Sequence, residues 1–495
     1  MSPQPLLNPP ENCWRIERAD EFALLIDADC YFAAARAAMK AAKRSIFLVG
    51  WDFDARVTLG HPDVSDEGPR AVGDFLLWLA RRNSDLEIRL LLWNPAFLAN
   101  WAKFSNVPYL LRWKLHPRIT VRLDGNHPVG SSHHQKILVV DDSLAFCGGI
   151  DVTSDRWDTR EHLDNDPRRK RPNGALYGPW HDASSYCIGP AARALGDLCR
   201  ERWKLAGGEE LEPAEWHQAF PRVDGAIAFG AVDLAISRTS PEYDGRQRVT
   251  EVERLYVDMI MSARAVIYAE SQYFASRIVA QAMARRLAEP DGPEIVLINP
   301  VEADNWLGSL AMDTARARLR ESMRRHDARN RFRIYHPVTA QGAPVYVHSK
   351  LMIVDDRAMR VGSSNFNNRS MRFDNECDVA FEASGSDALA QRLLDLRNDM
   401  LAEHLGMGVE EFSAIVERSG SLIGAIEEVR TRPRSGAQPA SRTLIPYVTP
   451  EISDLAEWLA DNEILDPEGP DAVFEPIEKR GLFRGKLRVP SRSRG

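Results

Sequence analysis

The chain has 495 residues, 63 basic against 71 acidic for a net charge of −8, and is 44% hydrophobic and 27% charged. That length holds two to four domains with a sizeable core, and the composition is that of a globular protein. The acidic balance weighs against a dedicated nucleic-acid binder, and six scattered cysteines without a Cys-x-x-Cys pair weigh against a cysteine zinc site or a disulfide framework.

Residues 1–20 are Pro-rich and polar and predict an ordered extension at best. Met1 to Arg18 lacks a basic stretch followed by an apolar run, so no secretory signal is expected. No apolar run reaches the roughly 18 residues of a membrane-crossing helix. The expected location is cytoplasmic or peripheral to a membrane, with a leaderless export route left open. Phe32 to Lys43 predicts a helix, and Ser45 to Trp51 a strand. Ile88 to Leu92 and Arg118 to Val121 predict two further strands. The same succession returns as helix Leu255–Ala263 and strands Ala265–Ala269, Ile295–Ile298 and Arg331–Ile334. Alternating helices and strands predict an α/β protein built by duplication.

The expected plan is a first half over 1–205, a connection over 206–250, a second half over 251–405 and a C-terminal extension over 406–495. The extension holds a helix from Val409 to Val416, an exposed Ser/Arg/Pro-rich stretch from Arg430 to Arg442 and a basic end, Phe483 to Arg494. That end reads as a solvated tail or a contact for anionic lipid. Two apolar sets, Trp93, Phe97, Trp101 and Phe104, and Trp306, Leu307, Leu310 and Met312, fit either helical core packing or an interfacial rim.

The most informative stretch is His134-Gln135-Lys136, four apolar residues and Asp141. It returns 214 positions later (348 − 134) as His348-Ser349-Lys350, four apolar residues and Asp355. A glycine follows each Asp after seven residues, as Gly148 and Gly362. On a strand, His and Lys share a face, whereas Asp, an odd step beyond Lys, points away. His134, Lys136, His348 and Lys350 are therefore assigned to chemistry, and Asp141 and Asp355 to structure. Two such pairs suit a phosphodiester. The lysines neutralise non-bridging oxygens, one neutral imidazole attacks phosphorus, and the other, protonated, supplies the leaving oxygen's proton. Each imidazole needs an acceptor for its second N–H. Asp182 and Glu376, each downstream of a motif and ahead of an apolar run, suggest a crossed arrangement with Glu376 on His134 and Asp182 on His348.

These residues resemble the phospholipase D superfamily. Further blocks carry the likeness: Asp151 with Arg156-Trp157-Asp158, Pro179-Trp180-His181-Asp182, Glu270-Ser271-Gln272-Tyr273-Phe274, and Asn368-Arg369-Ser370 before Glu376. Together they cover about residues 40–400 and look most like the phospholipases that cleave phosphatidylcholine. The resemblance implies two similar halves, each a mixed sheet flanked by helices, related by a pseudo-twofold around one site. It implies His134 as nucleophile and His348 as acid and then base. It also implies Lys136, Lys350, Asn365 and Asn367 on phosphate oxygens. Trp51, Trp180, Tyr273 and Trp306 are candidates for the substrate pocket. Asp151 stands where the second half has Asn365, so a carboxylate there would repel phosphate unless paired.

No cofactor is expected. His127, His133, His162 and His181 fit no standard ligand spacing, so no metal is expected either. The expected partner is a phospholipid at a membrane surface, with no nucleic acid. The expected activity is hydrolysis of phosphatidylcholine to phosphatidic acid and choline. A phosphatidyltransferase such as a cardiolipin synthase, a nuclease, and a catalytically silent lipid- or protein-binding scaffold stay open as alternatives.

Overall fold

The computed structural model describes residues 5–61, 66–94, 106–214, 220–221, 223–302, 312–432, 441–449 and 466. Phe97, Trp101, Phe104, Trp306, Leu307, Leu310, most of the stretch from Arg430 to Arg442 and the basic end lie outside those residues. Among the described residues no helix is long and apolar enough to cross a membrane.

Among the described residues, the predicted strands join one mixed sheet of sixteen strands. Its order is close to a palindrome about a central antiparallel pair, Arg15–Ile26 with Ile227–Ser240. Outward on the first side come Ala183–Ile188, Leu144–Gly148, Ile137–Val140, Ser45–Gly50, Glu87–Trp93 and Ile119–Asp124. Outward on the second come Glu376–Glu382, Ala358–Gly362, Leu351–Val354, Val266–Glu270, Glu294–Ile298 and Phe332–Val338. Thr443–Pro446 adds one antiparallel strand to the second edge. The three outer strands of each half are parallel, which requires crossover connections between them, and the inner ones are antiparallel.

Two expectations change here. The opening residues are no mere extension, because Arg15–Ile26 is a strand at the centre of the sheet. The stretch taken as a connection contains Ile227–Ser240, which begins the second half as Arg15–Ile26 begins the first. Both strands mix charged and small residues, and their pairing shifts register between Ala19 and Ala23. A bulge of that kind breaks the period-two pattern by which a strand is recognised.

Helices cover both faces of the sheet. Asp27–Ala41 and Val72–Arg82 close an apolar core over the first half, and Glu251–Ser262 and Arg277–Ala288 close one over the second. On the opposite face, Pro190–Leu205 and Asp387–Leu405 pack on a core that runs through both halves without a break. The halves are thus joined by backbone pairing and by shared apolar burial, which fixes one His–Lys motif relative to the other.

Candidate active site

Each motif strand, Ile137–Val140 and Leu351–Val354, is fully buried and paired on both sides, so the residues flanking it are held rigidly. At the far end, Asp141 and Asp355 adopt left-handed backbone angles, φ 52° and 53°. Asp141 accepts from the amides of Lys43, Arg44 and Ser45 at 2.7–2.8 Å. Asp355 accepts from Arg264, Ala265 and Val266 at 2.7–2.9 Å. Both carboxylates therefore tie a helix exit to a motif strand and take no part in the site.

The near ends cross between halves. The chain before His134 runs along the second half, with Asn375 N donating to Ser132 O at 2.8 Å and His134 N to Asn375 O at 2.9 Å. The chain before His348 runs along the first half, Tyr346–Val347 pairing in parallel with Trp180–His181 and His348 N donating to His181 O at 2.8 Å. Each histidine is thereby set beside the residue that follows its partner segment. His134 Nδ1 lies 3.0 and 3.1 Å from the two oxygens of Glu376. His348 Nδ1 lies 2.7 Å from Asp182 Oδ2. Both carboxylates are buried.

The lysines fold back in the same way in both halves. Lys136 Nζ donates to His134 O at 2.7 Å, and Lys350 Nζ donates to His348 O. Lys136 is also paired with Asp151 at 3.1 Å, so the carboxylate at this asymmetric position is neutralised. Asp151 Oδ1 further accepts from Trp51 N at 3.1 Å and Asp52 N at 3.2 Å. Asn365, its counterpart, has a buried side-chain oxygen that makes no hydrogen bond. Asn367 gives its oxygen to Ser370 N at 3.1 Å, which commits half of that amide to the local turn.

Electrostatics knit the four groups into one site. Burial depresses both imidazoles well below their usual range, and the lysines of both halves push in the same direction. Burial, and then Lys136 among the repelling charges, brings Lys350 down to about 7. Burial raises Asp182 and pushes Glu376 up to about 7 despite hydroxyl donors from Ser363 and Ser370. Such a cavity holds neutral imidazoles beside two lysines, and it favours an anion.

Aromatic rings frame the two pairs. Trp51 stands against His134 at 5.7 Å between centroids, stacks on Trp93 at 5.8 Å, and carries Lys136 Nζ over its face. Trp180 stands against His348 at 5.3 Å and stacks on Tyr346 at 4.5 Å, with the Arg156 guanidinium 4.4 Å from its centroid. Tyr273 packs against the apolar core of the second half. Sequence reading did not single out Tyr346 as a wall residue, and it offered Trp93 as either helical core or part of an interfacial rim. Tyr346 is two positions before His348, on the same face of an extended segment, and that spacing was the available signal.

Glycine is required where the halves meet. A side chain at Gly149 would place its Cβ 2.3 Å from Asp182 Oδ1 and 3.3 Å from Lys350 Cδ.

A family model described as "Cardiolipin synthase, PLD-like domain" matches residues 256–397. The chain is 26% identical over 461 residues to Phospholipase D A of Dictyostelium discoideum, covering 78% of this chain and 35% of that protein. It is 23% identical to Phospholipase D1 of Saccharomyces cerevisiae, covering 78% of this chain and 29% of that one. It is 25% identical to Phospholipase D alpha 1 of Nicotiana tabacum, covering 57% and 50%. The chain thus spans between about a third and a half of the length of these relatives. In fold it is similar to the phosphatidylserine synthase of Haemophilus influenzae, with a TM-score of 0.51 at 12% identity, over 83% of this chain and 95% of that one. With its duplicated motif and two-half sheet, the chain is similar to the phospholipase D superfamily, which the domain match and these relatives support.

Proposed function

We propose that this chain is a phospholipase D-type phosphodiesterase acting on the distal phosphodiester of a glycerophospholipid, with phosphatidylcholine as the first candidate. The crossed carboxylates carry the reading. With Nδ1 of each imidazole held by Glu376 or Asp182, Nε2 is left as the reacting nitrogen in both. His134 Nε2 attacks phosphorus as the phosphate–head-group bond breaks, and the imidazolium of His348 gives its proton to the departing head-group oxygen. His348 then takes a proton from water, whose oxygen displaces His134 and releases phosphatidic acid. The bound phosphodiester brings one negative charge into a cationic cavity. This raises the depressed histidines toward the state in which one carries a proton. Lys350, Lys136 and the side-chain NH2 of Asn365 are the donors for the non-bridging oxygens and the charge that develops on them.

An alcohol in water's place makes the same chemistry a phosphatidyl transfer, the reading favoured by the match to a cardiolipin synthase domain model. The test is incubation with vesicles of phosphatidylcholine or phosphatidylserine and with DNA, with and without added alcohol, followed by an alkaline denaturing quench. Phosphatidic acid, or a phosphatidyl alcohol when alcohol is present, together with an acid-labile phosphoenzyme supports the proposal. Labelling should vanish in His134→Asn and persist at low turnover in His348→Asn. Cleavage of DNA alone overturns the substrate, and label on His348 reverses the roles.

A further inference from the structure

Behind Asp182, on the side away from the histidine it holds, lies a second cluster that the reaction above does not use. His162 and His181 stand with their rings 5.5 Å apart and nearly perpendicular. His162 Nε2 is 3.2 Å from Glu403 Oε1 and 3.6 Å from Asp27 Oδ2. His181 Nδ1 is 3.2 Å from the same Glu403 oxygen and 3.2 Å from Asp27 Oδ1. All four side chains are buried, and their ligand atoms lie within 4.8 Å of one another. We propose that these four residues bind one divalent transition-metal ion, zinc by its ligand set, in a closed structural site.

The spacing is what a tetrahedral ion requires. Ligands about 2.0–2.1 Å from zinc are about 3.3 Å from each other, close to the edges measured here. Hydrogen bonding alone leaves the cluster incomplete, because Asp27 Oδ2 and His181 Nδ1 are both fully buried and make no directed hydrogen bond. The surroundings are those of metal-bound histidines, whose second nitrogen is held by a carboxylate. His162 Nδ1 lies 3.0 Å from Asp158, itself bonded by Arg169 at 3.1 Å. His181 Nε2 lies 3.0 Å from Glu270, which also takes Tyr268 and His404. Two imidazoles with two carboxylates suit zinc better than magnesium or calcium, which prefer all-oxygen shells. Four protein ligands leave no position for substrate, so the ion is structural.

Its consequence for the reaction follows from Asp27, a non-glycine residue at φ 63°. Asp27 N donates to Asp182 O at 2.8 Å and Asp27 Oδ1 accepts from Asp182 N at 3.0 Å. The ion would clamp the first-half residues 27, 162 and 181 to Glu403 of the second, and so fix the carboxylate that orients His348. This departs from the expectation of no metal. His127 and His133 are not part of the site: His127 is held by Trp93 and by the carbonyls of Asn94 and Pro128, and His133 by Asp124.

The test uses the full chain. Purified protein is dialysed, its metal is measured by mass spectrometry, and the ion is removed with a strong chelator and replaced with cobalt(II). Expected are about one equivalent of zinc per chain, a lower Tm after chelation, and the intense visible bands of tetrahedral cobalt. His162→Gln should retain less than about a tenth of that metal, and His127→Gln all of it. Wild-type protein that retains neither zinc nor cobalt, or His162→Gln that retains as much as wild type, overturns the proposal. Because the wild-type cobalt spectrum decides on its own, a variant that fails to fold does not remove the test.

Discussion

Glu376→Gln separates function from stability. Glu376 is fully buried, and burial raises its carboxyl from 4.5 to about 7. A folded-state value above the unfolded one means the protonated form favours folding. That contribution is complete below about 4.5 and is lost as pH rises through about 7. At about 1.4 kcal/mol per pH unit, holding the ionised group at alkaline pH costs about 3 kcal/mol. Glutamine stays neutral. It leaves one of the two hydroxyls, Ser363 or Ser370, facing an NH2 instead of an acceptor, at about 1 kcal/mol. The variant should therefore be about 2 kcal/mol more stable than wild type near pH 9 and about 1 kcal/mol less stable near pH 3. Turnover should move the other way. An amide NH2 against His134 Nδ1 makes that nitrogen an acceptor and leaves the proton on Nε2, the atom that must attack. A loss of about 10²–10⁴ follows for a misplaced tautomer. Chemical unfolding at the two pH values, with turnover on one phospholipid, measures both. Equal destabilisation at both pH values, or wild-type turnover, would refute the reasoning.

Replacing Asp141 by Ala strips three backbone amides of their acceptor and should cost about 3 kcal/mol of stability, with kcat of the folded fraction within about threefold of wild type; urea unfolding and active-site titration report the two. Gly149→Ala drives a methyl into Asp182 Oδ1 and should lower kcat at least about tenfold with KM little changed, read from initial rates on vesicles. Lys350, held near 7 in the free protein, has to be protonated to bind the phosphate. Its proton is present below that value and lost above it, so kcat/KM should fall on the alkaline side of neutrality. Lys350→Arg should move that limb upward even at a lower maximum.

The motif strands were legible because four apolar residues between polar ones, repeated with an identical turn, leave few readings. The central strands were not, since Arg15–Ile26 carries charges at its exposed end and a bulge in its middle. The crossing of the two carboxylates could be reached from symmetry and the need for a second acceptor. Its cause, the zipping of each histidine segment along the other half, is a matter of backbone pairing that one chain's pattern does not display. The buried His162–His181 cluster defeats a spacing search for the same reason. Its four members come from positions 27, 162, 181 and 403, and two are carboxylates of a kind found throughout the sequence.

The two halves repeat a scaffold but not a charge distribution, and the difference bears on which histidine attacks. Around His134, Asp151 and Asp374 partly offset the depression caused by burial, Lys136 and Lys350. Around His348, burial is joined by Lys350, Arg156, Lys136 and His134, all acting in the same direction. Asp151 occurs only in the first half, and Asn365 replaces it in the second; Arg156 lies over Trp180 beside His348. An imidazole in the more positive surroundings gives up a proton more readily, and one with carboxylates nearby donates its electron pair more readily. On the proposed division of labour, His134 is the nucleophile, and His348, once the bound phosphate has restored its proton, is the stronger acid of the two, a difference that the identical motifs do not by themselves provide.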